Sequence, residues 1–449
     1  MQLPFQLLSS LQGIGGFDVE TFTAAHEHHP PVISLRLNPG KPADLSPDWA
    51  VTPVPWCSDG RYLKARPSFT MDPLLHAGAY YVQEASSMFI WHILSALFSR
   101  EAPLRVADIC AAPGGKSTLL AAYFEQALVV ANEVIRTRVP ILTENLVKWG
   151  SANTIVTNND PSHFRQLPDF FDLMLVDAPC SGSGLFRKDP MVIETWQPDQ
   201  VELCNRRQQR ILSDVLPALR EGGYLIYATC SFSPEEDEDI TRWLMEEMDM
   251  EPLPIPVVAD WGIVEGPIPG TFRFFPDKLQ GEGFYASVLR KKRSDGFVTS
   301  REVLPETVGQ QMAQQFRSLF HLTASHHLFL QSGTVRFIPA QHLQSLSQLA
   351  GSLYIKKAGV ALGEQKGKDI VPSHEWAMLQ GKKEGWPLVQ VDREQALSFL
   401  ARQTFELPLD KGWSLLTYKN CVLGWVKNAG SRLNNYYPAE WRIRRSING

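Results

Sequence analysis

An α/β fold built on a largely parallel sheet is predicted by three observations. Short apolar runs alternate with helical stretches through the middle of the chain, a small-residue loop joins the first run to the first helix, and acids end successive runs. The runs at 104–109, 128–133, 152–157, 171–176 and 223–229 read as strands, and helices are predicted at 116–126, 136–149, 198–220 and 234–248. The last helix has a start signal: Ser233 as N-cap, Pro234 at the first helical position and Glu236 three residues after the cap. The proline-rich Glu251-Pro252-Leu253-Pro254-Ile255-Pro256 reads as a connector, after which 284–290 resumes as a strand able to close the sheet antiparallel.

Composition narrows the setting. At 449 residues, 44% of them apolar, the chain suffices for roughly three domains of about 150 residues. No Lys or Arg precedes Arg36, unlike a secretory signal, and no run reaches the about 20 apolar residues of a membrane span, so a cytoplasmic protein without membrane contact is expected. The six cysteines (57, 110, 180, 204, 230 and 421) lie far apart without a C-x-x-C, which argues against a disulfide framework or zinc module. His26, His28, His29, His326 and His327 lack the paired spacing of metal ligands, so no metal is expected. The net charge of −5 divides unevenly: residues 301–449 carry 18 Lys and Arg against 11 Asp and Glu, and residues 1–300 carry 25 against 37. Polyphosphate binding follows local cationic contacts, which makes the C-terminal third the expected electrostatic foothold. Lys291-Lys292-Arg293-Ser294-Asp295-Gly296 reads as a domain boundary, and the polar 363–368 stretch as a joint near 370.

The loop Cys110-Ala111-Ala112-Pro113-Gly114-Gly115-Lys116 follows a strand and opens a helix. Small residues there let backbone approach a ligand, and the helix start offers free N–H groups to an anion. A P-loop is excluded because Cys110 occupies its first-glycine slot, and a dinucleotide fingerprint because G-x-G-x-x-G is absent. Glu133 ends the second strand, where a carboxylate can accept from ribose hydroxyls; Asp160 follows the third and Asp177 ends the fourth. Together with the loop, these acids point to S-adenosylmethionine, whose carboxylate suits Lys116.

Two thiols end apolar runs: Cys180 in Asp177-Ala178-Pro179-Cys180-Ser181-Gly182-Ser183-Gly184, and Cys230 in Thr229-Cys230-Ser231. Strand ends of open α/β sheets are where ligands sit, so such thiols can reach a substrate, whereas Cys57, Cys204 and Cys421 lack this context and read as structural.

With Tyr80-Tyr81-Val82-Gln83-Glu84, Asn132-Glu133, Leu185 to Pro190 and Glu282-Gly283-Phe284, these motifs resemble the Sun-type RNA cytosine-C5 methyltransferases, within them the bacterial RsmF-like rRNA enzymes. The resemblance covers about 75–293 and implies a Rossmann-like SAM-dependent methyltransferase core. It makes Cys110, Ala111, Ala112, Pro113, Gly114, Gly115, Lys116, Glu133, Arg138, Asp160 and Asp177 cofactor contacts, Cys230 the nucleophile and Cys180 the thiol needed for product release. Leu423-Gly424-Trp425-Val426-Lys427, with Arg432, Asn434, Asn435 and Tyr436, looks like a PUA-like RNA-binding module. The expected organisation is 1–95 as an N-terminal RNA-binding region, 96–293 as the catalytic domain, 294–370 as an intermediate domain and 371–449 as a PUA-like domain, giving a C-terminal α+β/PUA-like extension. The expected partner is RNA, 16S rRNA or the small ribosomal subunit, with tRNA as the alternative.

The implied chemistry is addition of the Cys230 thiolate to carbon 6 of cytosine, methylation at carbon 5, loss of the carbon 5 proton and elimination. A helix after Ser233 would favour the thiolate, and Glu235 and Glu236 would oppose it if turned toward the sulfur. Arg187 and Lys188 are placed for phosphate or base contacts, or for a solvated loop. Two rivals remain: a DNA cytosine methyltransferase, in which Cys180 would be primary, and a ribosome-assembly factor without turnover.

Overall fold

The computed structural model describes residues 2–49, 51–294, 301–381 and 383–444. Its centre is a ten-stranded sheet. In chain order the main strands are β1 (Arg105–Asp108), β2 (Leu128–Asn132), β3 (Thr154–Thr157), β4 (Phe171–Asp177), β5 (Leu219–Thr229), β6 (Thr271–Phe274), β7 (Phe284–Lys291) and β8 (Ile355–Ala358). They lie in the order β6-β7-β5-β4-β1-β2-β3-β8, with Val264–Glu265 beside β6 and Met250–Pro252 paired to β7. β1 to β5 are mutually parallel, and β7 and β8 run antiparallel at the two flanks.

The sheet is apolar on both faces because helices cover both. Val106, Val129, Leu173, Leu175 and Ile226 join one core, and Ala107, Val130, Met174, Val176 and Tyr227 the other. α1 (Gly115–Tyr123), α2 (Val139–Trp149) and α3 (Pro198–Val215) make the crossovers β1 to β2, β2 to β3 and β4 to β5, the 3-10 segment Pro161–Gln166 lies between β3 and β4, and α4 (Glu238–Glu247) follows β5. The chain runs outward from β1 through β2 and β3, then returns to β4 on the other side of β1. The order therefore reverses between β1 and β4, and the crevice at their carboxyl ends is where ligands of such sheets bind.

Three sequence expectations shift at an edge by four or more residues. α3 stops at Val215 because Pro217 cannot continue it; a 3-10 turn follows and β5 begins at Leu219, four residues earlier than read. The helix expected from Pro234 is a 3-10 turn over Pro234–Glu236, and α4 starts only at Glu238. Ser233 does not cap it: its hydroxyl is buried without a hydrogen-bond partner among the described residues, and Glu236 turns away to bind two other serines.

The N-terminal region folds as helices Phe5–Ser10 and Val19–His28 and a four-stranded sheet, ordered Thr52–Val54, Cys57–Tyr62, Ser34–Leu37, Tyr80–Val82. Downstream, Glu306–Thr307, His326–Gln331, Thr334–Pro339, Val360–Lys366 and Asp369–Pro372 form a five-stranded sheet. The position read as a joint near 370 lies within the hairpin Val360–Lys366/Asp369–Pro372, and Asp295 and Gly296 of the other boundary lie outside the described residues. The intermediate segment also supplies β8, so it extends the core sheet. A last sheet joins Leu388–Gln390, Gly412–Tyr418, Cys421–Asn428 and Leu433–Asn435. Its Trp425 is fully buried and stacks on Trp376 at 5.7 Å. Leu423 and Trp425 are thus core residues, while Arg432 is exposed and Tyr436 partly so.

Candidate active site

The loop after β1 meets the N-terminal region on one side and β4 on the other. Gly114 has φ +115°, and a side chain on Gly115 would bring its Cβ to 3.2 Å from the Tyr81 ring. The glycines are therefore a matter of backbone shape and close approach. Arg36, fully buried from the N-terminal sheet, supports α1 by donating to Thr118 Oγ1 at 2.7 Å and the Gly115 carbonyl at 3.3 Å. It also donates to Gln83 Oε1 at 2.9 Å and lies 4.4 Å over Trp149.

A cavity of about 170 Å³ opens there, lined by Tyr81 to Glu84 and Ser87 of the N-terminal region and by Asp108, Cys110 to Pro113, Gly115, Lys116 and Asp177. Asp108 ends β1, one strand before the acids that the sequence pattern marks. It is fully buried; Oδ2 accepts from Ser117 Oγ at 2.6 Å, and Oδ1 has no hydrogen-bond partner among the described residues. Burial pushes its carboxyl up to about 7, only partly opposed by Ser117. An orphaned carboxylate oxygen in a cavity of this size suits an ammonium group.

Glu133 is buried behind the same loop and accepts from Ile135 N at 2.8 Å and Ala112 N at 3.3 Å. Arg138 donates to the Ala112 carbonyl at 2.6 Å and lies 3.6 Å from Glu133, so the pair grips Ala112 from both ends. Asp160 accepts from the hydroxyl and backbone N–H of Ser162 at 2.7 and 3.0 Å, and these bonds lower its pKa. Lys116 Nζ is 2.6 Å from Asp177 Oδ2 and 5.4 Å over the Phe284 ring. Burial is the largest single influence and opposes its charge, but the charge and hydrogen bond of Asp177, with the Asp108 and Cys230 charges, together raise the ammonium pKa. Cys110 is pushed up by burial and by the neighbouring acids, which keeps that thiol neutral.

The two other thiols come together: Cys180 Sγ lies 3.0 Å from Cys230 Sγ, and both residues are partly exposed. Their loops are joined by one buried carboxylate. Glu236 accepts from Ser181 N at 2.8 Å, Ser181 Oγ at 2.5 Å, Ser231 Oγ at 2.6 Å and Gln208 Nε2 at 3.2 Å. Gly184 N donates to the Cys230 carbonyl at 2.8 Å; a Cβ on Gly184 would sit 2.7 Å from that oxygen and 2.6 Å from the Gly283 carbonyl. Below, buried Arg273 holds Asp237 at 3.2 Å and also pairs with Glu238, while Thr229 Oγ1 donates to Asp237 at 2.7 Å. The Cys180 thiol is raised, first by its hydrogen bond with Cys230, then by burial and by the charges of Cys230 and Glu236.

Arg187 is neither a phosphate contact nor a solvated loop residue. It forms a buried ion pair with Glu282 at 2.9 Å and donates to the Gly281 carbonyl at 2.6 Å, while Lys188 is exposed. Its partner is 95 positions downstream, beyond any local pattern.

Residues 96–290 match the family described as 16S rRNA methyltransferase RsmB/F. Residues 3–85 match the N-terminal domain of 16S rRNA methyltransferase RsmF, and 386–443 the methyltransferase RsmF PUA domain. Ribosomal RNA small subunit methyltransferase F of Salmonella paratyphi A (strain ATCC 9150 / SARB42) is 31% identical over 422 residues, covering 87% of this chain and 85% of that one. The chain belongs to the RsmB/F methyltransferase family. The Aeromonas salmonicida (strain A449) protein of the same description is 30% identical over 414 residues, at 87% and 85% coverage. Among solved structures, a methyltransferase homolog from Pyrococcus horikoshii is 29% identical with a TM-score of 0.52, covering 64% of this chain and all (100%) of that one. NSun6 from Pyrococcus horikoshii, at 18% identity, TM-score 0.56 and coverage of 65% and 99%, shares the fold.

This family member is thus a SAM-dependent methyltransferase with a Rossmann-like core and a PUA domain near its C-terminus. The residues present fit the cofactor: the glycine cradle admits close backbone approach, and the free oxygen of Asp108 fits its ammonium. Among the described residues, no helix is long and apolar enough to cross a membrane, and no three or more His, Cys, Asp or Glu are grouped to hold a metal.

Proposed function

We propose that the protein methylates carbon 5 of cytosine in RNA, with 16S rRNA or the small ribosomal subunit in the cytoplasm as its target. The observation that carries this reading is the 3.0 Å apposition of Cys180 and Cys230 at the carboxyl ends of neighbouring strands, beside the Lys116–Asp177 pair that lines the cofactor cavity. A redox or zinc role for the thiols lacks the C-x-x-C spacing, whereas two thiols with separate tasks suit nucleophilic addition to a ring followed by release.

S-adenosylmethionine, when bound, supplies an electrophilic methyl group. Cys230 as thiolate adds to carbon 6, and the electron pair this delivers to the ring makes carbon 5 nucleophilic. Asp177 binds the amino or ring-nitrogen edge of the base. After carbon 5 is methylated, Cys180, which gives its own proton to solvent once its hydrogen bond with Cys230 is gone, takes the carbon 5 proton as thiolate; the pair left behind re-forms the 5,6 double bond and expels Cys230. Cys180 suits this later task because the first cause of its raised pKa is the hydrogen bond with Cys230, which is lost once that sulfur is bonded to carbon.

Lys116, the Cys110–Gly115 backbone, Glu133, Arg138, Asp160 and Asp177 hold the cofactor. In this reading Arg138 acts through Ala112, and Lys116 acts through Asp177 as much as on the cofactor carboxylate. The N-terminal region (1–95) and the segments that follow the catalytic core, the PUA domain among them, present the RNA. The relatives' description as small-subunit enzymes supports rRNA over tRNA, and the basic C-terminal third supports a polyanionic partner of either kind.

Trapping on 5-fluorocytosine-containing 16S rRNA, free and in small subunits, tests the assignment. The wild-type protein should form an adduct that survives denaturation. Cys230→Ala should form none and lose at least about 1,000-fold in turnover, as expected when a covalent nucleophile is removed, while Cys180→Ala should retain its adduct on unmodified RNA. Adduct loss with Cys180→Ala and persistence with Cys230→Ala would reverse the roles.

A further inference from the structure

The strand that the intermediate segment adds to the core sheet is entered by an ordered but exposed aromatic ring. Tyr354 precedes β8 and is 60% exposed. Because β8 runs antiparallel to β3, with Ile355 opposite Thr157, its start lies at the carboxyl end of β3, the sheet edge that carries the cofactor loop.

The main chain of Tyr354 is pinned there. Its N–H donates to Asn159 Oδ1 at 2.9 Å, and its carbonyl accepts from Asn159 Nδ2 at 3.1 Å and Asn158 N at 3.2 Å. Asn159 is buried and is held in turn by Asn132, whose amide accepts from Asn159 N at 3.1 Å and donates to the Asn159 carbonyl at 3.0 Å and the Ile109 carbonyl at 3.3 Å. Asn158 Nδ2 donates to the carbonyls of Glu133 at 2.6 Å and Val134 at 3.2 Å. One ladder of asparagines therefore locks three things together: the start of the cofactor loop, the turn after Glu133 and the backbone of Tyr354.

The ring itself gains little from this order. Lys356 Nζ lies 5.0 Å over it and 3.2 Å from its hydroxyl, leaving the other face to water. Val134 and Ile135, each 48% exposed, follow Glu133 on the same edge, and Asp160 follows Asn159. Exposed apolar groups on one sheet edge, with the carboxylate of Asp160 nearby in sequence, suit the face of a planar heteroaromatic ring with polar substituents.

We propose that Tyr354 is a wall of the cofactor site, its open face set against the adenine ring, so that the segment after the catalytic domain completes the core's own pocket. The proposal rests on the family's cofactor and not on the identity of the RNA.

Calorimetric titration of the full-length protein with S-adenosylhomocysteine, without RNA, tests it. Tyr354→Ala should raise Kd about fivefold or more, as loss of base–aromatic stacking does, and Tyr354→Phe should stay within about twofold of wild type. Both variants should unfold thermally like wild type in the absence of ligand, since the ring is mostly exposed and the pinning is through main chain. Wild-type affinity in Tyr354→Ala would overturn the proposal. So would an unchanged Kd with a raised KM for RNA, which would assign the ring to an RNA base. Failure of the cytosine reading leaves the titration untouched, because no RNA is present.

Discussion

The two sides of the crevice are both built on buried carboxylates, and they use them differently. On the cofactor side, Asp108 satisfies one oxygen with Ser117 and leaves the other without a hydrogen-bond partner among the described residues, beside a cavity. On the thiol side, Glu236 takes four donors from three segments and has nothing left over. A buried acid with a spare oxygen carries a desolvation cost that a ligand can relieve; one with every position filled is scaffold, and its removal strands its donors. The same contrast extends outward: the Arg273–Asp237–Glu238 and Arg187–Glu282 clusters stiffen the thiol side, while small residues and glycines shape the cofactor side.

Removing the scaffold acid should have the largest effect. Glu236→Ala leaves the Ser181 N–H, two serine hydroxyls and the Gln208 amide without their acceptor, at about 1–3 kcal/mol for each group left unsatisfied. Loss of at least about 3 kcal/mol of unfolding free energy is expected in denaturant titration, together with loss of the fluorocytosine adduct. Glu236→Gln separates charge from shape. Because the Glu236 charge helps raise Cys180, this variant should release product at lower pH than wild type while keeping its adduct. An Ala variant as stable as wild type would break the distinction.

The acid with the spare oxygen should behave in the opposite way. Asp108→Asn keeps an oxygen for Ser117 but loses the negative charge, so S-adenosylhomocysteine affinity should fall about 10- to 100-fold, the range for a charge-assisted hydrogen bond. The apo protein should become more stable at pH 8. The folded carboxyl lies at about 7 against 3.8 in the unfolded chain, so wild type progressively loses stability between these values as pH rises, and stays destabilised above them. The amide variant lacks that loss, and its thermal midpoint should change less than wild type's between pH 4 and pH 8. A midpoint for Asp108→Asn below wild type at pH 8 would show that the carboxylate is satisfied after all.

Much of this arrangement was legible in the sequence because it is carried by local patterns. The apolar runs located five core strands, and the loops holding Cys110, Cys180 and Cys230 fall at their ends. What stayed hidden depends on partners far along the chain. Ser233 and Glu236 have the spacing of a capping box, and nothing local shows that Glu236 binds Ser181, 55 positions earlier. Asp108 ends an apolar run like the other acids, yet its orphaned oxygen is visible only once the cavity is. β8 pairs with a strand about 200 residues upstream, and Trp425, which looks from its motif like part of a binding surface, is the centre of an aromatic core.

Arg187 and Lys188 offer the smallest and most local test, since two neighbouring cations fall on opposite sides of the contrast. Arg187 belongs to the scaffold: it is 3% exposed and paired with a Glu282 that is 1% exposed. Arg187→Ala leaves a buried carboxylate uncompensated and should destabilise the fold by about 3–5 kcal/mol. It should leave the salt dependence of RNA binding unchanged in whatever fraction remains folded. Lys188 is exposed and absent from every ion pair among the described residues. Lys188→Ala should leave the unfolding midpoint within about 0.5 kcal/mol of wild type, as surface changes do. If the lysine meets a phosphate, the same change should lower the slope of log affinity against log salt by about 1. Equal stability losses in the two variants would erase the line between scaffold and surface at this loop. An unchanged slope for Lys188→Ala would move the RNA path away from it.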